Sequence, residues 1–106
     1  MLAMDAIEKL SDRIVQEFHP ERIILFGSYA SGSPQEHSDV DILVVMPCEG
    51  RTSRLTAQII SRIRPEFPID LLVRSPDVLK ERIALNDFFL RDIVEHGRVL
   101  YAAADR

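Results

Sequence analysis

Three aspartates stand where aspartate is out of place. Asp39 and Asp41 flank Val40 at the head of the apolar run Val40–Val45, and Asp70 lies between Ile69 and Leu71 in a second apolar run. Aspartate is depleted in strands. Alternate residues of a strand point to one face, about 6.6 Å apart along it. Asp39 and Asp41 therefore present two carboxylates side by side, with Val40 turned the other way. If the two runs are neighbouring strands, Asp70 faces the same point from about 5 Å across the sheet. Two carboxylates 4 Å apart repel by about 1 kcal/mol in water and about 4 kcal/mol at an effective dielectric of 20. Three on one face weaken the fold unless a cation sits among them. Hard divalent cations take oxygen ligands, and Mg2+ is commonly held by one or two carboxylates together with substrate phosphates.

Gly27-Ser28 is the second feature, directly after the run Arg22–Phe26. A glycine there lets the backbone turn sharply and lets a ligand approach with no Cβ in the way. A serine opening a helical turn adds a hydroxyl and free backbone N–H groups, which suit a phosphate. Read alone, each feature has an ordinary explanation, because Asp-x-Asp pairs and Gly-Ser turns are common. Together they describe a site for Mg2+-nucleotide chemistry.

The elements that must position these residues follow from periodicity. Ile7, Leu10, Ile14 and Phe18 recur at spacings of three and four, which predicts a helix over 3–18. His19-Pro20 ends it, since proline disfavours helical geometry in the residue before it. Arg22–Phe26 reads as a strand closed by Gly27, and 28–38 as a short helical turn followed by loop. Val40–Val45 is a second strand. Leu55, Ile59, Ile60 and Ile63 mark a second helix, ended by Pro65. Ile69–Val73 is a third strand. Ser75-Pro76 opens a helix with a serine cap and a first-turn proline. Asn86 is expected to cap a further helix over 87–96, which Gly97 terminates. Arg98–Tyr101 is a last short strand, and 102–106 is expected to fray. The near-continuous apolar runs predict strands covered on both faces, with a partner or second copy supplying cover that few helices cannot. One side chain of Phe88-Phe89-Leu90 is a candidate for exposure.

Composition narrows the class. The chain has 106 residues, 46% hydrophobic and 28% charged, which predicts a single ordered α/β domain over 1–106. That length leaves room for one site and not for template-gripping domains. The net charge of −4 disfavours nucleic acid as a partner. The single cysteine, Cys48, excludes an internal disulfide and points to a reducing compartment. No apolar run approaches the roughly 18 residues that span a bilayer. Asp5 and Glu8 argue against a signal peptide. These features predict a cytoplasmic protein with no membrane partner.

The stretch Leu25-Phe26-Gly27-Ser28-Tyr29-Ala30, then ten residues from Tyr29 to Ser38, then Asp39-Val40-Asp41-Ile42-Leu43-Val44-Val45, resembles the signature of nucleotidyltransferases related to DNA polymerase β. More narrowly it resembles the minimal nucleotidyltransferases, antitoxins paired with HEPN toxins. The resemblance includes the leading helix, Ile69-Asp70-Leu71 and the ending Gly97-Arg98-Val99-Leu100-Tyr101. It implies an α/β (α+β) palm-like fold, a small mixed sheet with helices packed on it. It implies that Asp39 and Asp41 ligate two Mg2+ ions, that Asp70 holds the catalytic metal and helps deprotonate the attacking hydroxyl, and that Gly27 and Ser28 bind the outer phosphates. The implied reaction is attack of a hydroxyl on the α-phosphorus of an NTP, releasing pyrophosphate. The implied donor is ATP, and the implied acceptor is a tyrosine of a partner HEPN toxin, in a homo- or hetero-oligomer. Where many relatives carry an arginine two residues after the tyrosine position, this chain has Ser31; Arg51, Arg54 and Arg74 are the candidate substitutes. A non-catalytic antitoxin that neutralises by contact, and a transferase acting on a small molecule such as an antibiotic, are the competing functions.

The remaining residues have simpler readings. Tyr29 is expected to pack beside its loop and His37 to be solvated. His19 and His96 suit negative helix ends. Arg51, Arg54, Arg62 and Arg64 are expected on a solvated face.

Overall fold

Ile7, Leu10 and Ile14, spaced for one helical face, are buried together in helix α1, Met4–Phe18. The computed structural model describes residues 2–104. Strand β1, Arg22–Phe26, follows, then the single-turn helix α2, Ser28–Ser31, and strand β2, Val40–Val45. Helix α3 is Thr52–Ile63, strand β3 Ile69–Arg74, helix α4 Pro76–Ala84, helix α5 Phe88–His96 and strand β4 Arg98–Ala102. The sheet order is β3-β2-β1-β4. β1 is antiparallel to both β2 and β4, whereas β2 and β3 run parallel, joined by the α3 crossover.

Strand alternation sorts the side chains into two cores. Ile23, Leu25, Val40, Ile42, Val44, Leu71 and Val73 pack with α1 and α3. Ile24, Leu43 and Val45 pack with Leu79 of α4 and Leu90 and Ile93 of α5. The apolar runs are therefore covered on both faces, as their composition predicts. The chain's own helices supply both layers, so these strands need no second copy to cover them.

Helices α1 and α3 end alike. His19 and Arg64 precede prolines and turn left-handed, at φ 52° and 44°, and their N–H groups donate to Val15 O and Ile60 O at 2.9 Å. Ser75 caps α4 as expected, its Oγ accepting from the Val78 N–H at 3.2 Å. The cap of α5 differs from expectation. Asp87, not Asn86, accepts from the Leu90 N–H at 3.1 Å, while Asn86 sits in the turn at φ 68°. A tight α4–α5 corner needs a left-handed residue, and asparagine tolerates that better than aspartate's usual cap geometry allows. Gly97 ends α5 with φ −70°, so it serves no left-handed turn. A Cβ there would overlap Ile93 O and approach Ile24 Cγ2 to 2.5 Å, so glycine lets the helix end press onto β1. Ala102 belongs to β4 opposite Arg22, and the Ala103 N–H donates to Glu21 O at 2.8 Å, so the expected fraying does not begin there. Asp105 and Arg106 lie outside the described residues.

Candidate active site

Register decides what the aspartates do. β2 and β3 are parallel with Asp41 opposite Asp70, and antiparallel β1 puts Phe26 opposite Asp41. Asp70, Asp41 and Phe26 thus form one row across three strands. Each lies two residues from a member of the α4/α5 core, Leu72, Leu43 and Ile24, so the row shares that face by alternation. The Val40 N–H donates to Pro68 O at 3.0 Å, which carries the pairing back to the root of both strands. Asp39 sits just before β2, on the face of Asp41 by the same alternation. Asp41 is half-buried, while Asp39 and Asp70 are exposed.

The electrostatics agree with that placement. Burial, then the carboxylates of Asp70 and Asp39, raise the pKa of Asp41 above its ordinary value. Among the described residues no group of three histidine, cysteine, aspartate or glutamate side chains is gathered closely enough to hold a metal ion by itself. Asp41 and Asp70 in register, with Asp39 just before β2, instead offer an open set of hard oxygen donors. That donor set fits Mg2+, whose remaining ligands are commonly phosphate and water.

Gly27 closes the row from above. Its backbone, at φ 73° and ψ −154°, is one that residues with a side chain rarely adopt. A Cβ there would overlap Asp41 Oδ2 and lie 3.0 Å from Asp41 Cγ. The glycine is therefore required both by its conformation and by the carboxylate beneath it. The Ala30 and Ser31 N–H groups donate to Gly27 O at 3.2 and 3.1 Å, forming α2, and Ser31 Oγ donates to Ser28 O at 3.1 Å. Ser28, half-buried, opens that turn next to the row.

Other residues fall where their simpler readings put them. Tyr29 is buried in the core, its hydroxyl accepting from the Leu2 N–H at 3.4 Å. His37 is exposed, as are Arg51, Arg54, Arg62 and Arg64, with Arg62 paired to Glu17 at 2.6 Å. Arg74 ends β3 opposite Val45, at the far end from Asp70, and donates to Val73 O at 2.8 Å. Arg51 and Arg54 belong to the start of α3, which follows the far end of β2. None of the three candidate arginines is brought to the aspartates. Sequence offers no role for Phe26 in the row, and it expects one exposed side chain among Phe88-Phe89-Leu90, where the structure exposes two. Phe26 meets Phe89 of α5 edge to face, with ring centroids 5.8 Å apart. Phe89 and Phe88 are 57% and 71% exposed. The signal was the pairing of Phe26 with Asp41, which only the strand register reveals.

A mixed sheet carrying paired carboxylates, a third carboxylate in register and a glycine turn pressed against them is an architecture suited to nucleotide chemistry. The chain belongs to the nucleotidyltransferase domain family, whose model matches residues 7–101. It is 37% identical over 82 residues to "Putative protein adenylyltransferase MJ0604" of Methanocaldococcus jannaschii, covering 76% of this chain and 78% of the relative. MJ0141 of the same organism, named in the same way, is 36% identical over 78 residues, covering 73% of this chain and 75% of the relative. Among solved structures, a mutant of the toxin–antitoxin MntA-HpeT matches with a TM-score of 0.51 and 22% identity, covering 96% of this chain and 75% of that one. A toxin–antitoxin with AMP-PNP matches with a TM-score of 0.50 and 23% identity over the same shares. The chain is a nucleotidyltransferase. Among the described residues no helix is long and apolar enough to cross a membrane.

Proposed function

We propose that this chain transfers AMP from Mg2+-bound ATP to a tyrosine hydroxyl of a partner protein, a toxin of HEPN type, and so acts as its antitoxin. The observation that carries the catalytic part is the register of Asp41 with Asp70, with Asp39 alongside and Gly27 pressed onto Asp41. The protein acceptor is supported by two relatives named for protein adenylylation and by the likeness in fold to toxin–antitoxin structures, one of them with AMP-PNP.

Asp39, Asp41 and Asp70 would hold two Mg2+ ions, which when bound supply positive charge to the attacking and leaving oxygens. Asp41, at the centre of the row, would hold the Mg2+ charge that draws the α-phosphate to this end of the sheet. Gly27, with no Cβ, lets the turn that would bind the outer phosphates sit directly against the Asp41 carboxylate, and Ser28 Oγ–H donates to one of their oxygens. Asp70, exposed at the edge strand, accepts the proton of the incoming hydroxyl at its carboxylate. Little other acid–base chemistry is needed, since positioning and charge account for most of the catalysis of phosphoryl transfer.

The test mixes the purified protein, Mg2+, labelled ATP and the protein encoded beside it. Label passing to the neighbour, and lost in Asp39→Asn and Asp41→Asn, is the expected result. A stable complex with no transfer from any nucleotide would replace the enzyme with a neutraliser that acts by contact.

A further inference from the structure

A cavity of about 290 Å³ opens beside Gly27, between α2 and α5. Phe26, Phe89 and Ile93 are its apolar wall, and Ser31, Asp92 and His96 its polar side chains. Among the described residues, His96 is the only side chain lining it that can carry positive charge. The nearest arginines in sequence are engaged elsewhere. Arg91 donates to Ile83 O at 2.8 Å and lies over the Phe88 ring, and Arg98 pairs with Glu8 at 3.8 Å. His96 is one helical turn beyond Asp92, with Nδ1 2.9 Å from Asp92 Oδ1. A carboxylate in that position holds Nδ1 as the donor and leaves Nε2 for a ligand.

The direction of the reaction gives this cavity a role. In an in-line displacement the leaving group departs opposite the attacking oxygen. If the hydroxyl arrives beside Asp70 and the outer phosphates lie at Gly27-Ser28, the pyrophosphate points away from the carboxylate row and toward the cavity. Beyond the Mg2+ that its carboxylates would hold, the row brings no cationic side chain to that charge. We infer that His96, oriented by Asp92, donates a hydrogen bond from Nε2 to the outer phosphates of the bound nucleotide and to the departing pyrophosphate. The assignment rests on the nucleotidyl-transfer reading above. Asp92 alone would repel a phosphate entering the cavity, and its hydrogen bond with His96 Nδ1 offsets that repulsion.

The test compares binding of Mg2+-ATP, Mg2+-pyrophosphate and Mg2+-AMP by calorimetry in the wild type, His96→Ala and His96→Lys. His96 is 72% exposed on its side chain, so both variants should keep the wild-type melting temperature. His96→Ala should weaken ATP and pyrophosphate by about tenfold, the size of one charged hydrogen bond, and leave AMP unchanged. His96→Lys should restore most of the loss. Equal weakening of all three ligands, or no weakening of any, overturns the assignment while leaving nucleotidyl transfer intact. Failure of the wild type to bind any of the three overturns the transfer reading and the His96 role with it.

Discussion

Asp41 and Asp70 are register partners on adjacent parallel strands, so two carboxylates that lie 29 residues apart in sequence meet side by side at one end of the sheet. Both point away from the α1/α3 core and onto the face roofed by α5. Burial first, and then the neighbouring Asp70 and Asp39 carboxylates, raise the pKa of Asp41, so its charged form costs stability.

Asp41→Asn should therefore separate stability from activity. Removing the central charge relieves its repulsion with Asp70 and Asp39, so the metal-free variant should melt a few degrees above the wild type at neutral pH. Nucleotide transfer should fall by more than about a hundredfold, the scale of a lost electrostatic contact at a reacting centre. The rise in melting temperature given by Mg2+-ATP should vanish with it. Calorimetric scans with and without Mg2+-ATP, beside a transfer assay, check all three.

The same carboxylate sets a pH dependence. Its folded pKa is raised, so protonated Asp41 favours the fold. That contribution is complete below the ordinary carboxylate value of about 3.9. It is lost as pH rises through the raised value. The stability advantage of Asp41→Asn over the wild type should thus be absent in acid and grow across that window. Denaturation curves of both proteins over the acid range measure it; a constant difference would contradict the assigned cause.

Gly27→Ala should fail for two reasons at once. The backbone at φ 73° and ψ −154° costs a residue with a side chain about 1–3 kcal/mol. The new Cβ also displaces the Asp41 carboxylate. Loss of that stability together with near-complete loss of transfer is expected. Ser28→Ala, which leaves the backbone alone, should keep the stability and raise the KM for ATP.

Asp87 anchors the start of α5, the helix over the site. The Leu90 N–H, then Arg82, hold its carboxyl below the ordinary carboxylate range. A lowered pKa stabilises the fold above the unfolded value, and the contribution is lost as pH falls through the folded one. Asp87→Ala should lower the melting temperature at neutral pH and narrow its gap to the wild type in strong acid. Asn86→Ala, which removes no cap, should act through backbone strain and the lost hydrogen bond from Arg91 at 3.3 Å, and show no such pH dependence.

Much of this was legible in the residues. The Gly27-Ser28 turn, the Asp39–Asp41 pair and the lone Asp70 could be read as chemistry because each broke the apolar pattern around it. Pro20 and Pro65 marked helix ends, and Ser75-Pro76 marked a start, because their geometry is local. The α5 cap was not legible to the residue, since Asn86 and Asp87 are both good caps and the tight corner chose between them. Gly97 looked like a left-handed stop, and only the sheet behind it showed that its role is close packing.

By itself the sequence determined the periodicities, the strands that must be covered on both faces, and the residue types able to hold a divalent cation and a phosphate. These depend on neighbours three or four positions away. Tertiary structure alone decided that β3 lies parallel to β2 with Asp70 level with Asp41, that Phe26 completes the row, and that α5 brings Phe89, Asp92 and His96 beside Gly27. Strand order and register depend on how two helical layers close over one sheet, a balance of packing between distant segments that no local pattern contains.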